Sequence, residues 1–207
     1  LAHAYYYPRR FAEAEDYCRQ AQRLWQKLGD RRGEATALNA MANIRLETRD
    51  LDAAIKLYLR TLAVYRDVGD QRGEGVALVN LAEAYCELGR FDEVFEYARA
   101  ALQAARHTRN QRAEVLSLCH LARAIAAAGN LTEAEGHFLR AVELARKADD
   151  RHVEAWTLDY LGTALMQAGR SEDAALSWQG AAALFDGLRD PQATSLRSRL
   201  SSLAEPG

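Results

Sequence analysis

Gly69-Asp70-Gln71-Arg72-Gly73-Glu74 repeats, almost letter for letter, Gly29-Asp30-Arg31-Arg32-Gly33-Glu34 forty residues earlier. Outward from this pair, the same forty-residue step reaches Arg109-Asn110, Asp149-Asp150 and Arg189-Asp190, and it links Leu38 to Leu78, Leu118 and Leu158. A fixed period without insertions is the mark of a stacked-repeat architecture. In such a stack each unit touches only its neighbours. The 207 residues therefore read as one quasi-linear array rather than as one or two globular domains.

Each period divides into two helical stretches. Between Arg32 and Thr48 the apolar positions Ala37, Leu38, Met41, Ala42 and Ile44 form a one-sided stripe. After the short Arg49-Asp50 connection a second stripe runs through Leu51, Ala54, Ile55, Tyr58, Leu62, Tyr65 and Val68. So short a turn predicts antiparallel packing of the two helices. The punctuation agrees. Gly89, Gly129 and Gly169 stand where a first helix ends in a left-handed cap. Asp30, Asp70, Asn110, Asp150 and Asp190 stand where the next first helix needs an N-cap acceptor. Asp190-Pro191 places proline in a first turn, where its missing N–H is no loss, and Asn130 with Glu133 makes a capping-box variant.

The composition suits many amphipathic helices sharing a thin core: 49% of residues are apolar, and 27 basic residues nearly balance 29 acidic ones. A net charge of −2 gives no reason to expect nucleic acid or an anionic membrane as partner. There is no Lys/Arg stripe with interleaved aromatics, and no apolar run approaches the ~20 residues that cross a bilayer. Three widely separated cysteines, Cys18, Cys86 and Cys119, without a C-x-x-C, read as reduced thiols and point to the cytoplasm.

The helix pairs resemble the tetratricopeptide repeat, whose signature is W-x2-L-G-x2-Y…A-x3-F. Leu78, Leu81, Ala82 and Tyr85 fill its first four slots. Leu118, Leu121, Ala122, Ile125, Ala134, Phe138 and Ala141 fill them in the next period, and Leu158, Leu161, Gly162, Leu165, Ala174, Trp178 and Ala181 in the one after. Leu38, Met41, Ala42, Ala54 and Tyr58 follow the same plan. Arg45, Val94, Cys18 and Ala98 depart from it. The usual unit has 34 residues, so six more lengthen the helices and carry the Gly-Asp-x-Arg-Gly-Glu turn. This longer variant is similar to the repeat arms of large bacterial signalling ATPases and actinobacterial transcriptional regulators. It is similar also to the repeats of Pins-type polarity adaptors. The resemblance implies an all-α, right-handed superhelical solenoid of antiparallel helix pairs.

The expected organisation is a single solenoid over 1–207: a truncated first repeat at 1–30, full repeats at 31–70, 71–110, 111–150 and 151–190, and a closing helix at 191–204. Projected backwards, the register puts Leu1-Ala2 on the L-G slots and Tyr5 on the Tyr slot. The chain therefore reads as part of a longer protein whose uncapped N-terminal end invites self-association.

In the resembled family the first helices line a concave groove, so forty-residue ladders list its columns. They run Thr36, Val76, Leu116, Trp156; Asn39, Val79, Cys119, Asp159; Ala40, Asn80, His120, Tyr160; and Asn43, Glu83, Arg123, Thr163. Leu46, Cys86, Ala126 and Met166 follow, flanked by Glu47 and Glu87. These columns lie off the core slots and are expected to be free to bind. An amide offers both a donor and an acceptor to the backbone of an extended peptide, which singles out Asn39, Asn43 and Asn80. The competing role for such an Asn is a bond to its own backbone or to a neighbouring helix. Glu83, Glu47 and Glu87 make one end acidic, and His120 and Arg123 lie further along. Trp156 and Tyr160, one turn apart, are either binding anchors or packing residues. Two of the Asn positions match the chaperone adaptors' carboxylate clamp, but its cationic slots hold Asn39, Leu116 and His120, which argues against a chaperone-tail receptor.

Phosphate-loop, nucleophile-elbow, zincin and dinucleotide motifs are missing. His3, His107, His120, His137 and His152 show no ligand pairing at helical spacing. The sequence thus predicts a non-enzymatic module without cofactor or metal, which binds a peptide or protein segment in its groove as the interaction or sensor arm of a larger regulator. The alternatives are a self-association arm and a small-ligand sensor.

Overall fold

Ten helices make up residues 10–204, the part of the chain that the computed structural model describes; no strand occurs among them. The helices are α1 (Phe11–Leu28), α2 (Arg31–Glu47), α3 (Leu51–Asp67), α4 (Gln71–Glu87), α5 (Phe91–His107), α6 (Gln111–Ala127), α7 (Leu131–Lys147), α8 (Arg151–Gln167), α9 (Ser171–Gly187) and α10 (Gln192–Ala204). Leu1-Ala2 and Tyr5, assigned above to a truncated first helix, lie outside the described residues. Two compact units divide the chain, Leu1–Asn110 and Gln111–Gly207. In the first, α1 packs on α2, α2 on α3, α3 on α4 and α4 on α5. In the second, α6 packs on α7, α7 on α8, α8 on α9 and α9 on α10, with a further contact between α6 and α8.

The backbone repeats twice as often as the sequence. From α2 to α9 every helix has seventeen residues, and the turns carry a positive φ at 29, 49, 69, 89, 109, 129, 149, 169 and 189. Glycine fills five of these positions, and Arg49, Arg109, Asp149 and Arg189 fill the other four. A left-handed residue there lets two successive N–H groups turn back onto the ending helix. At the end of α3, Gly69 N–H donates to the Arg66 carbonyl at 3.2 Å and Asp70 N–H to the Tyr65 carbonyl at 2.9 Å.

The Gly-Asp-x-Arg-Gly-Glu signature assigns one task to each of its residues. Asp70 closes α3 with its N–H and opens α4 with its carboxylate, which accepts from Gly73 N–H at 3.0 Å; a cap of this kind contributes about 1 kcal/mol. Asp30 and Asp150 do the same, accepting from Gly33 N–H and Val153 N–H at 2.9 and 3.1 Å. The arginine reaches forward to the next cap: Arg32 lies 2.6 Å from Asp70, Arg112 pairs with Asp150, and His152 takes that place 3.2 Å from Asp190. The second glycine gives room to an aromatic ring. A Cβ on Gly33 would stand 2.4 Å from Trp25, and one on Gly73 2.6 Å from Tyr65. In the second unit the same two positions hold Ala145 and Val153, so bulk moves from one partner to the other. The final glutamate reaches back eight residues: Gln26 donates to Glu34, Arg66 to Glu74 and Arg146 to Glu154, at 2.9, 2.8 and 2.6 Å.

The core follows the repeat slots. Ala42, Ala54, Ala82, Ala122, Ala134 and Ala174 are fully buried beside Tyr58, Phe138 and Trp178. Ala193 and Leu196 of α10 join Trp178, Ala182 and Phe185 in one apolar cluster. The opposite side of α10 exposes Ser195, Ser198, Ser201 and Ser202.

Candidate functional site

The first helices do not hold their outward columns entirely apart from the core, as the sequence led us to expect. Val79, Cys86, Cys119, His120, Asp159 and Leu46 are all buried. Direct packing between successive first helices, seen for α6 on α8, accounts for part of the correction. The faces of the two units carry different chemistry.

In Leu1–Asn110 the face of α2 and α4 is polar. The Asn80 side-chain amide donates to the Asn39 amide oxygen at 2.9 Å, joining two successive first helices. The remaining Asn39 N–H groups and the Asn80 oxygen have no partner among the described residues, and both side chains are half-buried. Asn43 has a structural bond as well: the hydroxyl of the wholly buried Tyr58 donates to its oxygen at 2.7 Å. Burial, reinforced by Glu83 and Glu47, pushes the Tyr58 phenol well above its ordinary value, so the hydroxyl remains a donor. At the acidic end Glu87 pairs with Arg49. Burial also raises the Glu47 carboxyl, in the same direction as the nearby Glu87 charge.

In Gln111–Gly207 the face of α6 and α8 is aromatic and cationic. Trp156 and Tyr160 stack with ring centroids 5.9 Å apart, and the Arg123 guanidinium lies 4.3 Å from the Tyr160 ring centroid. Phe185 and His152 meet Trp156 edge-on at 5.3 and 6.3 Å. Trp156 is half-buried against the cluster that α10 closes, so it packs and is partly offered to solvent at once. His120 corrects the sequence reading. At 4% exposure its ring belongs to the interior, where burial first and Arg123 second push its pKa down to about 3. The enclosed imidazole is therefore held in its neutral form.

One functional-looking pair escaped the sequence reading. Asp159, 5% exposed, accepts from Arg199 of α10 at 3.1 Å, and the Trp178 indole donates to the Asp159 carbonyl at 3.2 Å. The sequence signal is the forty-residue step from Asp159 to Arg199, which carries the ladder past the full repeats into α10. Among the described residues no group of three or more His, Cys, Asp or Glu could hold a metal ion. No described helix is long and apolar enough to cross a membrane. Cys18, Cys86 and Cys119 form no disulfide among the described residues.

The family profile of the tetratricopeptide repeat matches residues 1–67, 33–107 and 111–177. The chain belongs to the tetratricopeptide-repeat family. That fold is in general a non-catalytic protein-interaction scaffold, and the match indicates no enzymatic family. No curated protein matches the sequence. Among solved structures, the chain is similar to BtubC from P. vanneervenii, with a TM-score of 0.65 and 18% identity over 96% of this chain and 93% of that one. It is similar to a Signal Transduction ATPase with Numerous Domains with a tetratricopeptide repeat sensor from Pyrococcus horikoshii, with a TM-score of 0.71 and 19% identity over 92% of this chain and 30% of that one. A Rap protein complexed with Competence and Sporulation Factor matches with a TM-score of 0.68 and 17% identity over 99% of this chain and 62% of that one. These likenesses show the fold: an all-α helical-repeat solenoid.

Proposed function

We propose that the chain is a protein- or peptide-binding module and serves as the interaction or sensor arm of a larger multidomain regulator. The observation that carries this reading is the Asn39–Asn80 bond, which fixes two amides across successive first helices and leaves a donor and an acceptor for a peptide backbone. A backbone held by fixed amides needs no particular sequence, so selectivity falls to flanking groups. Beside these amides the flanking group is Glu83; in the second unit Arg123, Trp156 and Tyr160 form a contact surface of their own. Asn43 contributes its amide N–H groups while its oxygen serves Tyr58. His120 has a packing role. The similar solved structures support the reading: one is a complex with Competence and Sporulation Factor, and another carries its repeats as a sensor.

Peptides selected from a random displayed library provide the test. Asn39→Ala with Asn80→Ala should weaken the selected peptides about tenfold or more, given about 1–3 kcal/mol for lost buried hydrogen bonds, with helicity unchanged. Undiminished binding by the double variant would falsify the amide-grip reading. A second reading, self-association, is motivated by α1, where Tyr17, Leu24 and Leu28 are 70, 59 and 72% exposed. It requires a molar mass by light scattering that rises with concentration and a Leu24→Glu variant that stays monomeric.

A further inference from the structure

One core slot of the first unit carries more chemistry than its packing needs. The aromatic slot of the second helices holds Tyr58, Ala98, Phe138 and Trp178 in successive repeats, all of them buried. A phenyl ring fills the slot at Phe138, so the hydroxyl of Tyr58 is not required for packing. That hydroxyl crosses from α3 to α2 and donates to the Asn43 oxygen at 2.7 Å. The column that holds Asn43 continues through Glu83, Arg123 and Thr163, so hydroxyl and amide occur together in this repeat alone.

The bond fixes which end of Asn43 is turned away from the core. A hydroxyl proton enclosed in the interior needs an oxygen, so the amide keeps its oxygen on Tyr58 and points its two N–H groups away. Those N–H groups have no partner among the described residues, and the side chain is half-buried. One turn earlier on α2, the bond from Asn80 consumes the Asn39 oxygen and leaves the Asn39 N–H groups and the Asn80 oxygen. The face thus offers donor and acceptor together at one level and donors alone at the next, about 6 Å along α2. In an extended chain, backbone groups that point the same way recur every second residue, about 6.8 Å apart. A helical peptide spends those groups on its own internal bonds.

We infer that Tyr58 is a positioning residue for peptide binding, which turns the Asn43 N–H groups toward the ligand and so sets the register of an extended segment. This rests on the proposed function and assigns the conformation of its ligand. One residue of the segment places its carbonyl and N–H on the Asn39–Asn80 pair, and the carbonyl two residues along accepts from Asn43. Tyr58 itself, wholly buried, never touches the segment.

A library-selected peptide, resynthesised with each backbone amide in turn replaced by an ester, tests this on the whole chain by fluorescence anisotropy. An ester lacks the N–H and offers a weaker carbonyl acceptor. The unaltered chain should lose affinity about threefold to tenfold at two places two residues apart, the range for single hydrogen bonds, and little elsewhere. Asn43→Ala, which leaves Tyr58 packed, should remove the ester effect at one of these places and so identify it. Tyr58→Phe should remove the effect at that same place, leave the Asn39–Asn80 place as sensitive as before, and weaken the parent peptide about threefold. The two substitutions together should weaken binding no further than Asn43→Ala alone, with circular dichroism confirming the fold of each variant. Ester effects that lack the two-residue spacing, or that persist unchanged in Tyr58→Phe, overturn the inference. So does a loss in Tyr58→Phe spread evenly over all positions, which marks a structural role alone. If Asn39→Ala with Asn80→Ala still weakens the peptide in those cases, the proposed function stands; if that variant also binds undiminished, both fall.

Discussion

Replacing Asn43 by alanine should destabilise the first unit by removing the acceptor of a buried hydroxyl. Tyr58 is 0% exposed, and the bond from its hydroxyl to Asn43 at 2.7 Å is the one hydrogen bond that hydroxyl makes among the described residues. Asn43→Ala strands the donor in the interior at a cost of about 1–3 kcal/mol. Alanine's better helix propensity returns about 0.5 kcal/mol. The net loss is about 1–2 kcal/mol, a fall in thermal midpoint of about 3–6 °C for a chain of this size. Tyr58→Phe deletes the donor instead, after which Asn43→Ala should cost less than about 0.5 kcal/mol. Urea denaturation of the two single variants and the double variant, followed by circular dichroism, completes the cycle. Equal costs for Asn43→Ala in both backgrounds would refute the assignment and return Asn43 to a purely surface role.

Gly162→Ala should destabilise the second unit, because the added Cβ would stand 2.6 Å from Trp178 and 3.1 Å from the Ala174 carbonyl. Overpacking costs about 1–3 kcal/mol, exceeding the gain in helix propensity, and Trp178→Phe should relieve part of it in a double-variant melt. Two buried carboxylates should tilt stability with pH in opposite senses. The Gln26 hydrogen bond, then that of Gln22 and the charges of Arg31 and Arg60, hold Glu34 below its ordinary 4.5 despite burial. Its contribution is therefore complete above that value and lost as pH falls through the lower folded value. Burial raises Asp159 above 3.8 against the pull of Arg199, so its contribution is complete below that value and lost as pH rises through the folded one. Glu34→Gln and Asp159→Asn should each flatten its own segment of a stability–pH profile, and an unchanged profile would contradict the assignment. Arg109→Gly should raise the midpoint slightly in a melt, since φ of 52° costs a non-glycine residue about 1 kcal/mol.

The forty-residue period made the helices legible because each signature residue does a local job. Asp70 caps, Gly69 reverses the chain, and Gly73 yields to Tyr65, so spacing alone located every turn. The faces were harder to read. Helical periodicity says which side of α6 carries His120, but not that the tertiary packing of α6 encloses that ring. Likewise an asparagine at position 43 looks the same in sequence whether its oxygen meets a ligand or the Tyr58 hydroxyl of the next helix.

The most direct measurement follows the side-chain amide resonances of Asn39 and Asn80 by NMR while a library-selected peptide is titrated into the isotope-labelled chain. Peptide binding across the first helices predicts saturable shifts of both amides and of backbone resonances in α2 and α4. Saturable binding that leaves both amides and these helices unperturbed would contradict it.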